Sequence, residues 1–425
     1  MAKVSSSAFP AAVFPQKLPS DLTPLQPVLS SELTPSIIRE THQELRRVDL
    51  APTVASSQGF ILSSFIVGTP GDDTLSGTWR RDFIFGLGGD DTLQGWGGND
   101  WLFGGDGRDR MYGGSGNDRF YDVSGGNLFD GGSGTDTVLY SGITGPITLK
   151  YDIDLVDTGN GGPPDIAQDF LRVYQNGLPP DELVSVEVLV GPAGQPNTID
   201  FQAAHYKPKY SPLPPTKVAP PIDVNLSQSS LSFDGITMTV ENFQNVIGSR
   251  GDDSIIGNGG VNVLDGNLGS NQLTGLGGND VLKTFEKDTL TGGSGADTFV
   301  LRAAWRELIS QSGGWQPGAV QASQIVDFES GVDKIQLNAT QNASFVTGSF
   351  SWVEYNAFES LSVGALDPTR FYVLGSGNPV PTEQHIQYDD TTGDLFYTGI
   401  MGSSTFKFAR LQGSPTLTAS DFEVV

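Results

Sequence analysis

The sequence predicts an all-β protein: two parallel β-rolls, a β-rich insert between them, and a β-rich C-terminal cap. Three observations lead to this prediction. A nine-residue pattern repeats in register along two blocks of the chain, an apolar residue recurs at one fixed place in each repeat, and glycine is unusually frequent, with 55 of 425 residues. A fixed repeat period is typical of solenoids, in which each repeat packs on its neighbours.

The first repeat block begins at Gly68 and ends at Leu139. Its units are GTPGDDTLS, GTWRRDFIF, GLGGDDTLQ, GWGGNDWLF, GGDGRDRMY, GGSGNDRFY, DVSGGNLFD and GGSGTDTVL. The second block begins at Gly248 with GSRGDDSII, GNGGVNVLD, GNLGSNQLT and GLGGNDVLK, then continues through the eight-residue TFEKDTLT to GGSGADTFV. Positions within a unit are numbered one to nine from its first residue.

Each unit divides into a six-residue turn and a three-residue strand. Because neighbouring side chains of a strand point to opposite faces, position eight is predicted to face inward and positions seven and nine outward. Glycines at positions one, two and four are expected to adopt the positive φ angles of a sharp turn. The position-eight residues are Leu75, Ile84, Leu93, Leu102, Met111, Phe120, Phe129 and Val138 in the first block, and Ile255, Leu264, Leu273, Leu282, Leu290 and Phe299 in the second.

Two units are predicted to make one coil of about 18 residues, so equivalent turns stack on every second unit. Position six is usually aspartate, and stacking forms two carboxylate rows in the first block. These rows are Asp73, Asp91, Asp109 and Asn127 on one edge, and Asp82, Asp100, Asp118 and Asp136 on the other. Carboxylates about 4 Å apart would repel by roughly 1–4 kcal/mol per pair. A calcium ion between consecutive turns would convert this repulsion into attraction, because calcium binds six to eight oxygens.

The repeats resemble the RTX (repeats-in-toxin) family of calcium-binding β-rolls, whose pattern is GGxGxDx-apolar-x. The segments Ile325–Leu337, Ile386–Tyr397 and Leu417–Val425 are similar to the C-terminal region of RTX exoproteins. The resemblance covers about residues 68–139 and 240–425. It implies several bound calcium ions, folding outside the cell, and an uncleaved C-terminal signal for type I secretion.

The resemblance also implies which residues bind calcium. The carboxylate and amide ligands are Asp73, Asp82, Asp91, Asp100, Asp109, Asp118, Asp136, Asp253, Asn271, Asp280 and Asp297, and the turn glycines include Gly88, Gly97, Gly107 and Gly116. Some repeats depart from the pattern. Arg80 replaces a turn glycine beside Asp82, while Asn262 and Asn271 replace aspartate and should weaken binding. The pairs Asp73–Asp91, Asp91–Asp109, Asp100–Asp118 and Asp118–Asp136 therefore rank ahead of Asp280–Asp297, and Asp253–Asn271 ranks last.

The domain organisation follows the blocks. We predict a Pro/Ser-rich arm with one short helix at 1–60, the first roll at 61–140, the insert with a proline-rich loop at 141–239, the second roll at 240–300, and the cap with the secretion signal at 301–425. Within the insert, GPAGQPNTID (191–200) resembles a decayed repeat turn. The core is thin for so many ordered residues, so we expect the blocks to be largely unfolded without calcium.

Composition limits the possible functions. The net charge is -25, which disfavours nucleic acid or an anionic membrane as partner and suits polyvalent cations. The chain has no cysteine, no apolar run long enough to span a membrane, and no signal peptide at its N-terminus. These features leave either a cytoplasmic protein or one exported without a cleaved leader. The RTX resemblance implies the second, a secreted protein that is free outside the cell or associated with the cell surface.

No enzyme is predicted. The three histidines, His42, His205 and His385, are far apart in sequence, and neither HExxH nor GxSxG is present. The leading function is a structural or surface-assembly protein. Two alternatives remain open: a secreted enzyme with its site in the arm or insert, and a glycan-binding module with exposed aromatics such as Trp79 and Trp96.

One predicted outer face of the first roll is aromatic. Its outward residues include Phe83, Phe85, Trp101, Phe103 and Tyr121. Such a face is too apolar to stand open to water. Either another part of the chain covers it, or it contacts a second protein molecule in an assembly.

Overall fold

The structure is a computed structural model. It describes residues 64–121, 125–140, 143–156, 166–202, 220–285, 287–302, 304–309, 322–338, 344–347, 350–356, 358, 361–377, 381, 384–398 and 405–425. The described residues from 66 to 425 form one compact unit. The predicted helix of the arm, His42, His205 and most of the proline-rich loop lie outside the described residues. No α-helix occurs in the described part, where strands dominate, so the all-β prediction is confirmed.

The strands are short and numerous. In the first block they are β1 (Ser64–Val67), β2 (Thr74–Ser76), β3 (Asp82–Gly88), β4 (Thr92–Gly97), β5 (Trp101–Asp106), β6 (Arg110–Ser115), β7 (Arg119–Tyr121), β8 (Leu128–Ser133) and β9 (Thr137–Leu139). In the middle segment they are β10 (Ile147–Val156), β11 (Ile166–Gln175), β12 (Asp181–Val184), β13 (Val188–Val190), β14 (Asn197–Asp200), β15 (Ile222–Asn225), β16 (Ser230–Phe233), β17 (Ile236–Glu241) and β18 (Phe243–Ile247).

The second block contains β19 (Ser254–Ile256), β20 (Val263–Asp265), β21 (Gln272–Gly277), β22 (Val281–Thr284), β23 (Thr289–Ser294) and β24 (Thr298–Leu301). The C-terminal region contains β25 (Ala304–Ile309), β26 (Ser323–Ile325), β27 (Lys334–Leu337), β28 (Ser344–Thr347), β29 (Phe350–Asn356), β30 (Gly364–Ala365), β31 (Phe371–Val373), β32 (His385–Asp389), β33 (Asp394–Thr398), β34 (Thr405–Leu411) and β35 (Phe422–Val424). Short 3-10 turns lie at Leu226–Gln228, Pro368–Arg370 and Ala419–Asp421.

The coil geometry follows the predicted register. Strand β4 pairs in parallel with β2 and β6, and β5 pairs in parallel with β3 and β7, so successive units alternate between two sheets. Leu93 lies opposite Met111 on one sheet, and Leu102 lies opposite Phe120 on the other. Side chains at position eight therefore meet in one stack between the sheets, and the parallel β-roll prediction is confirmed.

The core consists of this stack. From Ile84 onward the position-eight side chains of both blocks are at most 1% exposed, while Leu75 at the first coil is partly buried. Period-two alternation produces this burial directly, because one side chain of each three-residue strand faces the opposite sheet. Burial of these apolar side chains is the main favourable term in the described fold.

The middle segment differs in one respect from an insert standing between two rolls. Its strand β12 pairs in parallel with β8, and β13 pairs in parallel with β9, each extending one sheet of the first block. Strands β18 and β15 then pair in parallel with β20 and β19 of the second block. Both sheets thus run from the first block through the middle segment into the second. The predicted decayed turn at 191–200 connects β13 to β14, which pairs with β18.

Most strands of the C-terminal region continue the same sheets, while β25, β28 and β29 form a separate antiparallel sheet. Strand β27 pairs in parallel with β24, and the terminal β35 pairs with β27. The predicted hairpin at YDDTTGDLFY is present as antiparallel β32 and β33. Its turn is held by Asp389, whose Oδ1 accepts from the backbone N–H of Thr391 over 2.9 Å. This arrangement closes the far end of the roll with hydrogen-bonded strands.

The aromatic outer face is partly buried. Trp101 is only 8% exposed, and Phe83, Phe85, Phe103 and Tyr121 are half-buried. Phe85 stacks on Phe103 at 4.4 Å between ring centroids, and Phe103 stacks on Tyr121 at 4.7 Å. Residues of successive coils lie opposite each other, so outward aromatics cover one another and the face is less open to water than the alternation alone suggests.

None of the helices in the part of the chain described here is long and apolar enough to cross a membrane.

Candidate metal centre

Position-six carboxylates are stacked by hydrogen bonds along two edges of the first block. On one edge the backbone N–H of Asp73 donates to Oδ1 of Asp91 over 2.7 Å, and that of Asp91 donates to Oδ1 of Asp109 over 2.9 Å. On the other edge the bonds from Asp82 to Asp100 and from Asp100 to Asp118 are both 2.8 Å. The rows predicted from the nine-residue period therefore exist, and each Oδ1 is fixed by the coil before it.

The second oxygen of these carboxylates has a different environment. Oδ2 is buried and has no hydrogen-bond partner among the described residues in six aspartates: Asp91, Asp100, Asp109, Asp118, Asp136 and Asp280. A buried carboxylate oxygen without a donor or cation is costly, because it has lost its hydration and gained nothing in exchange. Repetition of this feature at equivalent turns indicates a missing common partner rather than isolated defects.

Position-one glycines form the other side of each site. A methyl group built on Gly86 would meet both Oδ2 of Asp91 and, at 2.6 Å, the carbonyl oxygen of Gly104 in the next coil. Gly95 shows the same pair of neighbours, Oδ2 of Asp100 and the carbonyl of Gly113. The space beside a position-one glycine is thus lined by oxygens from two consecutive coils.

The reason for glycine at position one differs from the positive φ angle expected from the sequence. Positive φ occurs at positions two and four, for example at Gly105 (110°) and Gly107 (131°), whereas Gly86 and Gly95 do not adopt it. Glycine is required at position one because a side chain would occupy the oxygen-lined space. Of the four turn glycines predicted for the site, Gly107 and Gly116 lie at position four with positive φ, while Gly88 and Gly97 lie at position three without it.

The first coil of each block is built differently. Oδ2 of Asp73 accepts from Thr69 N–H over 2.5 Å, Oδ2 of Asp82 accepts from Thr78 N–H over 2.5 Å, and Oδ2 of Asp253 accepts from Ser249 N–H over 2.7 Å. These three predicted ligands already have protein donors at the oxygen that interior turns leave without one. The turns of the first coils therefore resemble hydrogen-bonded caps.

Asparagine closes the site where it replaces aspartate in the second block. The Asn271 amide donates to the carbonyls of Gly266 and Leu268 over 2.9 and 3.3 Å. The Asn262 amide donates to the Gln244 carbonyl over 2.9 Å. An N–H group directed at these carbonyls takes the place a cation would hold, since a cation requires oxygen lone pairs from all sides.

Asp280 and Asp297 retain the arrangement of the first block. The Asp280 N–H donates to Oδ1 of Asp297 over 2.8 Å, and the Asp297 N–H donates to Oδ1 of Asp333 over 2.9 Å. The Asp280 Oδ2 lies beside Gly275, where a methyl group would also meet the carbonyl of Gly292 at 2.5 Å.

Four acidic members of the rows were missed by the repeat pattern. They are Asp181, Glu187, Asp288 and Asp333, and each accepts a backbone N–H from the position-six residue of the preceding coil, with the donors Asn127, Asp136, Asn271 and Asp297 respectively. A weaker pattern was present in the sequence: an acidic residue two places before a buried apolar one, as in DELV, EVLV, DTLT and DKIQ. Without the turn glycines this pattern is too common to single them out.

Position five carries a parallel set of bonds in the opposite direction. The N–H of Asp90 donates to Oδ1 of Asp72 over 2.8 Å, and the N–H of Asn117 donates to Oδ1 of Asn99 over 3.0 Å. These exposed side chains accept one hydrogen bond from the following coil, for which aspartate and asparagine serve equally. The sequence pairs DD and ND therefore combine a stacking residue with a candidate ligand.

Burial raises the pKa of the position-six carboxyls. It raises the pKa of Asp100 to about 8 and the pKa of Asp109, Asp118 and Asp136 to about 6, with neighbouring carboxylates adding to the effect and backbone hydrogen bonds opposing it. The folded protein alone thus disfavours the ionised form. A bound cation would reverse this preference.

The donor set fits calcium. Each interior turn brings together carboxylate and backbone carbonyl oxygens with no nitrogen or sulfur, which is the set that hard cations such as calcium bind. Within the described residues, no group of three or more His, Cys, Asp or Glu is close enough to hold a metal ion. A cation here must therefore rely on paired carboxylates together with main-chain oxygens.

His385 is the one histidine that the structure describes, and it is a core residue. It is 2% exposed, and its Nε2 lies 2.8 Å from Nε2 of Gln387. This burial indicates that His385 has a packing role.

Two known protein families match different parts of this chain. The RTX calcium-binding nonapeptide repeat family matches residues 67–102, 76–111 and 112–141, and the serralysin (peptidase M10) C-terminal domain matches residues 230–364. Comparison with curated proteins gives no match.

Thirty-six chains of solved structures match, and they include a subunit of an epimerase and a lipase. The AlgE6R3 subunit of the Azotobacter vinelandii mannuronan C5-epimerase is 22% identical over 41% of this chain and 78% of its own, with a TM-score of 0.23. The extracellular lipase LipA of Serratia marcescens is 14% identical over 87% of this chain, with a TM-score of 0.19; this chain covers 43% of the lipase.

The two family matches indicate a secreted calcium-binding protein and include no catalytic domain. The chain carries RTX calcium-binding nonapeptide repeats in its first block and a segment of the serralysin C-terminal kind around its second.

Proposed function

We propose that this protein acts outside the cell in a structural or surface-assembly role and that its β-roll folds when calcium binds between consecutive turns. The observation that carries the proposal is the set of six buried Oδ2 atoms without a hydrogen-bond partner in the described structure, stacked at turns of the repeat pattern. Calcium would supply the positive charge and the coordination that these oxygens lack.

The chain's own residues prepare the sites. Backbone N–H groups of each coil hold Oδ1 of the next position-six residue, which orients the carboxylate before any cation arrives. Position-one glycines such as Gly86 keep the oxygen-lined space open. We assign the interior sites to Asp91, Asp100, Asp109, Asp118, Asp136, Asp280 and Asp297. We regard Asp73, Asp82 and Asp253 of the first coils, and the amide Asn271, as weaker ligands.

The proposal includes export as an unfolded chain by a type I route. Support comes from the serralysin C-terminal match and from the metal-free roll, in which burial disfavours the ionised form of several carboxyls. Calcium outside the cell would then complete folding.

Calcium titration tests this function. The purified chain is freed of calcium with a chelator and titrated while circular dichroism and light scattering are recorded together. We expect strand signal to appear cooperatively near about 0.1–1 mM calcium, the range of extracellular modules. A concurrent rise in scattering supports assembly, and strand signal without it leaves a monomeric structural role. No response to calcium refutes the proposal.

A second candidate function is glycan binding at the turn edge of the first coils. Trp79 and Trp96 are 78% and 63% exposed, and the indole N–H of Trp96 donates to Ser76 Oγ over 2.8 Å, which fixes one ring. Exposed aromatic rings with a polar edge suit sugar stacking. A glycan array with calcium-loaded protein tests this candidate, with Trp79→Ser as the comparison; absence of binding excludes it for the glycans displayed.

A further inference from the structure

Glu187 lies in the middle segment, outside both repeat blocks, yet it takes the place of a position-six residue. Strand β13 pairs in parallel with β9, with Leu189 opposite Val138. The Val188 N–H donates to the Asp136 carbonyl over 2.9 Å, as the Thr137 N–H donates to the Asp118 carbonyl over 2.9 Å. The strand after Glu187 therefore adds to the roll in the same register as a nonapeptide unit.

The side chain of Glu187 continues the carboxylate row. The Asp136 N–H donates to Oε2 of Glu187 over 2.8 Å, just as the Asp118 N–H donates to Oδ1 of Asp136 over 2.7 Å. Asp136 itself is 0% exposed. Its Oδ2 is among the buried oxygens for which the described structure offers no hydrogen-bond partner.

A backbone carbonyl completes the similarity. A methyl group built on Gly131 would meet Oδ2 of Asp136 at 2.6 Å and also the carbonyl oxygen of Ser185. At Gly113, within the repeats, the corresponding neighbours are Oδ2 of Asp118 and the carbonyl of Gly131. Ser185 adopts a positive φ of 50°, so a short turn places its carbonyl where a repeat would place that of a position-one glycine.

The opposite edge of the roll ends differently at the same level. Asp181 is the next member of the row after Asn127. Its carboxylate accepts from the backbone N–H groups of Gly126 and Asn127. It also accepts from the side chains of Asn127, Tyr140 and Gln175. Protein donors thus surround this carboxylate and take the place of a cation. No such set of donors surrounds Oδ2 of Asp136 in the described part of the chain.

We propose that Asp136, Glu187 and the Ser185 carbonyl form one further calcium site, between the last repeat of the first block and the middle segment. This proposal rests on the proposed calcium-dependent folding, and it adds a site that the nonapeptide pattern does not contain. The site would also attach the middle segment to the roll, because its two carboxylates come from different parts of the chain.

Counting bound ions tests the site. Glu187→Gln keeps an oxygen that accepts the Asp136 N–H but removes the charge that a cation requires. Native mass spectrometry at the lowest calcium concentration that saturates the wild-type protein is expected to show one ion fewer in this variant. The matched control is Glu182→Gln, which makes the same change on β12, where Glu182 lies opposite Leu128 and 3.9 Å from Arg172. The control is expected to bind the wild-type number.

The outcomes separate this inference from the proposed function. An equal ion count in Glu187→Gln and wild type overturns the inference while leaving calcium-dependent folding intact. A wild-type protein that binds no calcium overturns both. If Glu187→Gln does not reach the wild-type strand signal in calcium, the calcium ions bound by the Asp136→Asn variant are counted instead. It borders this site and the Asp118 site, so we expect the loss of two ions, and the loss of only one refutes the inference.

Discussion

The backbone N–H of Asp100 donates to Oδ1 of Asp118, 18 residues later, over 2.8 Å, while Oδ2 of each residue is buried with no hydrogen-bond partner in the described chain. One carboxylate oxygen therefore fixes the stacking of coils and the other remains for a cation. The same side chain therefore serves both coil stacking and the proposed calcium binding. A substitution that keeps the first oxygen but removes the charge should affect calcium binding and leave the stacking intact.

Asp91→Asn should weaken calcium binding while preserving the stack. The amide oxygen can still accept the Asp73 N–H that Oδ1 accepts now over 2.7 Å, but the charge at the second oxygen is lost. We expect the calcium midpoint of the strand signal to rise on the order of tenfold, since affinity follows the charge of the ligands. Circular dichroism during calcium titration measures the midpoint.

Asp90→Asn is the matched control for that substitution. It removes the same charge one residue away, at position five, where Asn99 and Asn117 already make the stacking bond. We expect its calcium midpoint to stay within about twofold of wild type, because the Asp90 side chain is exposed and its Oδ1 accepts the Arg108 N–H. Equal shifts in the two variants would show that overall charge, rather than position six, controls binding.

Acid should stabilise the calcium-free protein. Burial raises the pKa of Asp100 to about 8 and that of Asp109, Asp118 and Asp136 to about 6, whereas the unfolded chain has values near 3.8. The folded state then binds more protons than the unfolded state between these values. The contribution of these carboxyls to stability is fully present below pH 3.8 and is lost as the pH rises through about 6 to 8.

The measurement is strand signal in chelator between pH 8 and pH 5. We expect it to increase toward pH 5. Calcium binding should show the opposite dependence, with a higher midpoint below pH 6, because protons compete for the same oxygens. A calcium-free protein that is fully folded at pH 8 and loses strand signal on acidification would contradict this explanation.

The double substitution Phe83→Ser and Trp101→Ser should destabilise the calcium-loaded monomer. Trp101 is 8% exposed, and its ring lies 5.3 Å from that of Phe83 and 5.5 Å from that of Tyr121. Each aromatic contact contributes about 0.5–1.5 kcal/mol beyond burial, so the melting temperature should fall by several degrees. Trp79→Ser, at a 78% exposed position, should leave it unchanged. A variant with the wild-type melting temperature but altered scattering would instead favour an intermolecular contact.

Leu276→Gly should stabilise the roll although it deletes an apolar side chain. Leu276 has φ of 79° and is 41% exposed, so a left-handed conformation is imposed on a residue with little burial to lose. Glycine adopts the same conformation without the steric cost that leucine has there. The free energy of unfolding should therefore increase by on the order of 0.5–1 kcal/mol, after the entropy cost of glycine is subtracted. Chemical denaturation in saturating calcium measures the change.

Gly293→Ala is the reciprocal test, at the same position one coil later. Gly293 has φ of 100°, and a methyl group there would meet the backbone of Leu276, with its Cα at 2.9 Å. We expect destabilisation larger than the gain from Leu276→Gly. If both variants proved neutral, the position-two conformation would be less constrained than the geometry indicates.

The same comparison explains where non-glycine residues are tolerated at position two. Non-glycine residues with positive φ at position two are Leu87, Trp96, Asn267 and Leu276. In each case the position-two residue one coil earlier does not have positive φ. These earlier residues are, in the same order, Thr69, Thr78, Ser249 and Asn258. Glycine becomes necessary only when the coil before presents its carbonyl to the Cβ, as Leu87 does to Gly105. This dependence on the preceding coil could not be inferred from the composition of a single turn.

Several features were determined by the sequence itself. The nine-residue period and the apolar position eight predicted the parallel roll, its 18-residue coil and its core, because strand alternation and stacking leave no other face for Leu93 or Phe120 to occupy. The same period placed Asp100 above Asp118. Local repetition carries such information since each unit contacts only its neighbours.

Tertiary structure alone decided the rest. It brought Glu187 and Asp181 into the carboxylate rows, joined the middle strands to both sheets, and left Oδ2 of Asp136 without a donor in the described structure. The contacts that add Glu187 and Asp181 to the rows join residues far apart in sequence, 51 positions from Asp136 to Glu187 and 54 from Asn127 to Asp181. No repeat pattern records such contacts, because the chain between these partners is irregular and its path is fixed only when the sheets pair.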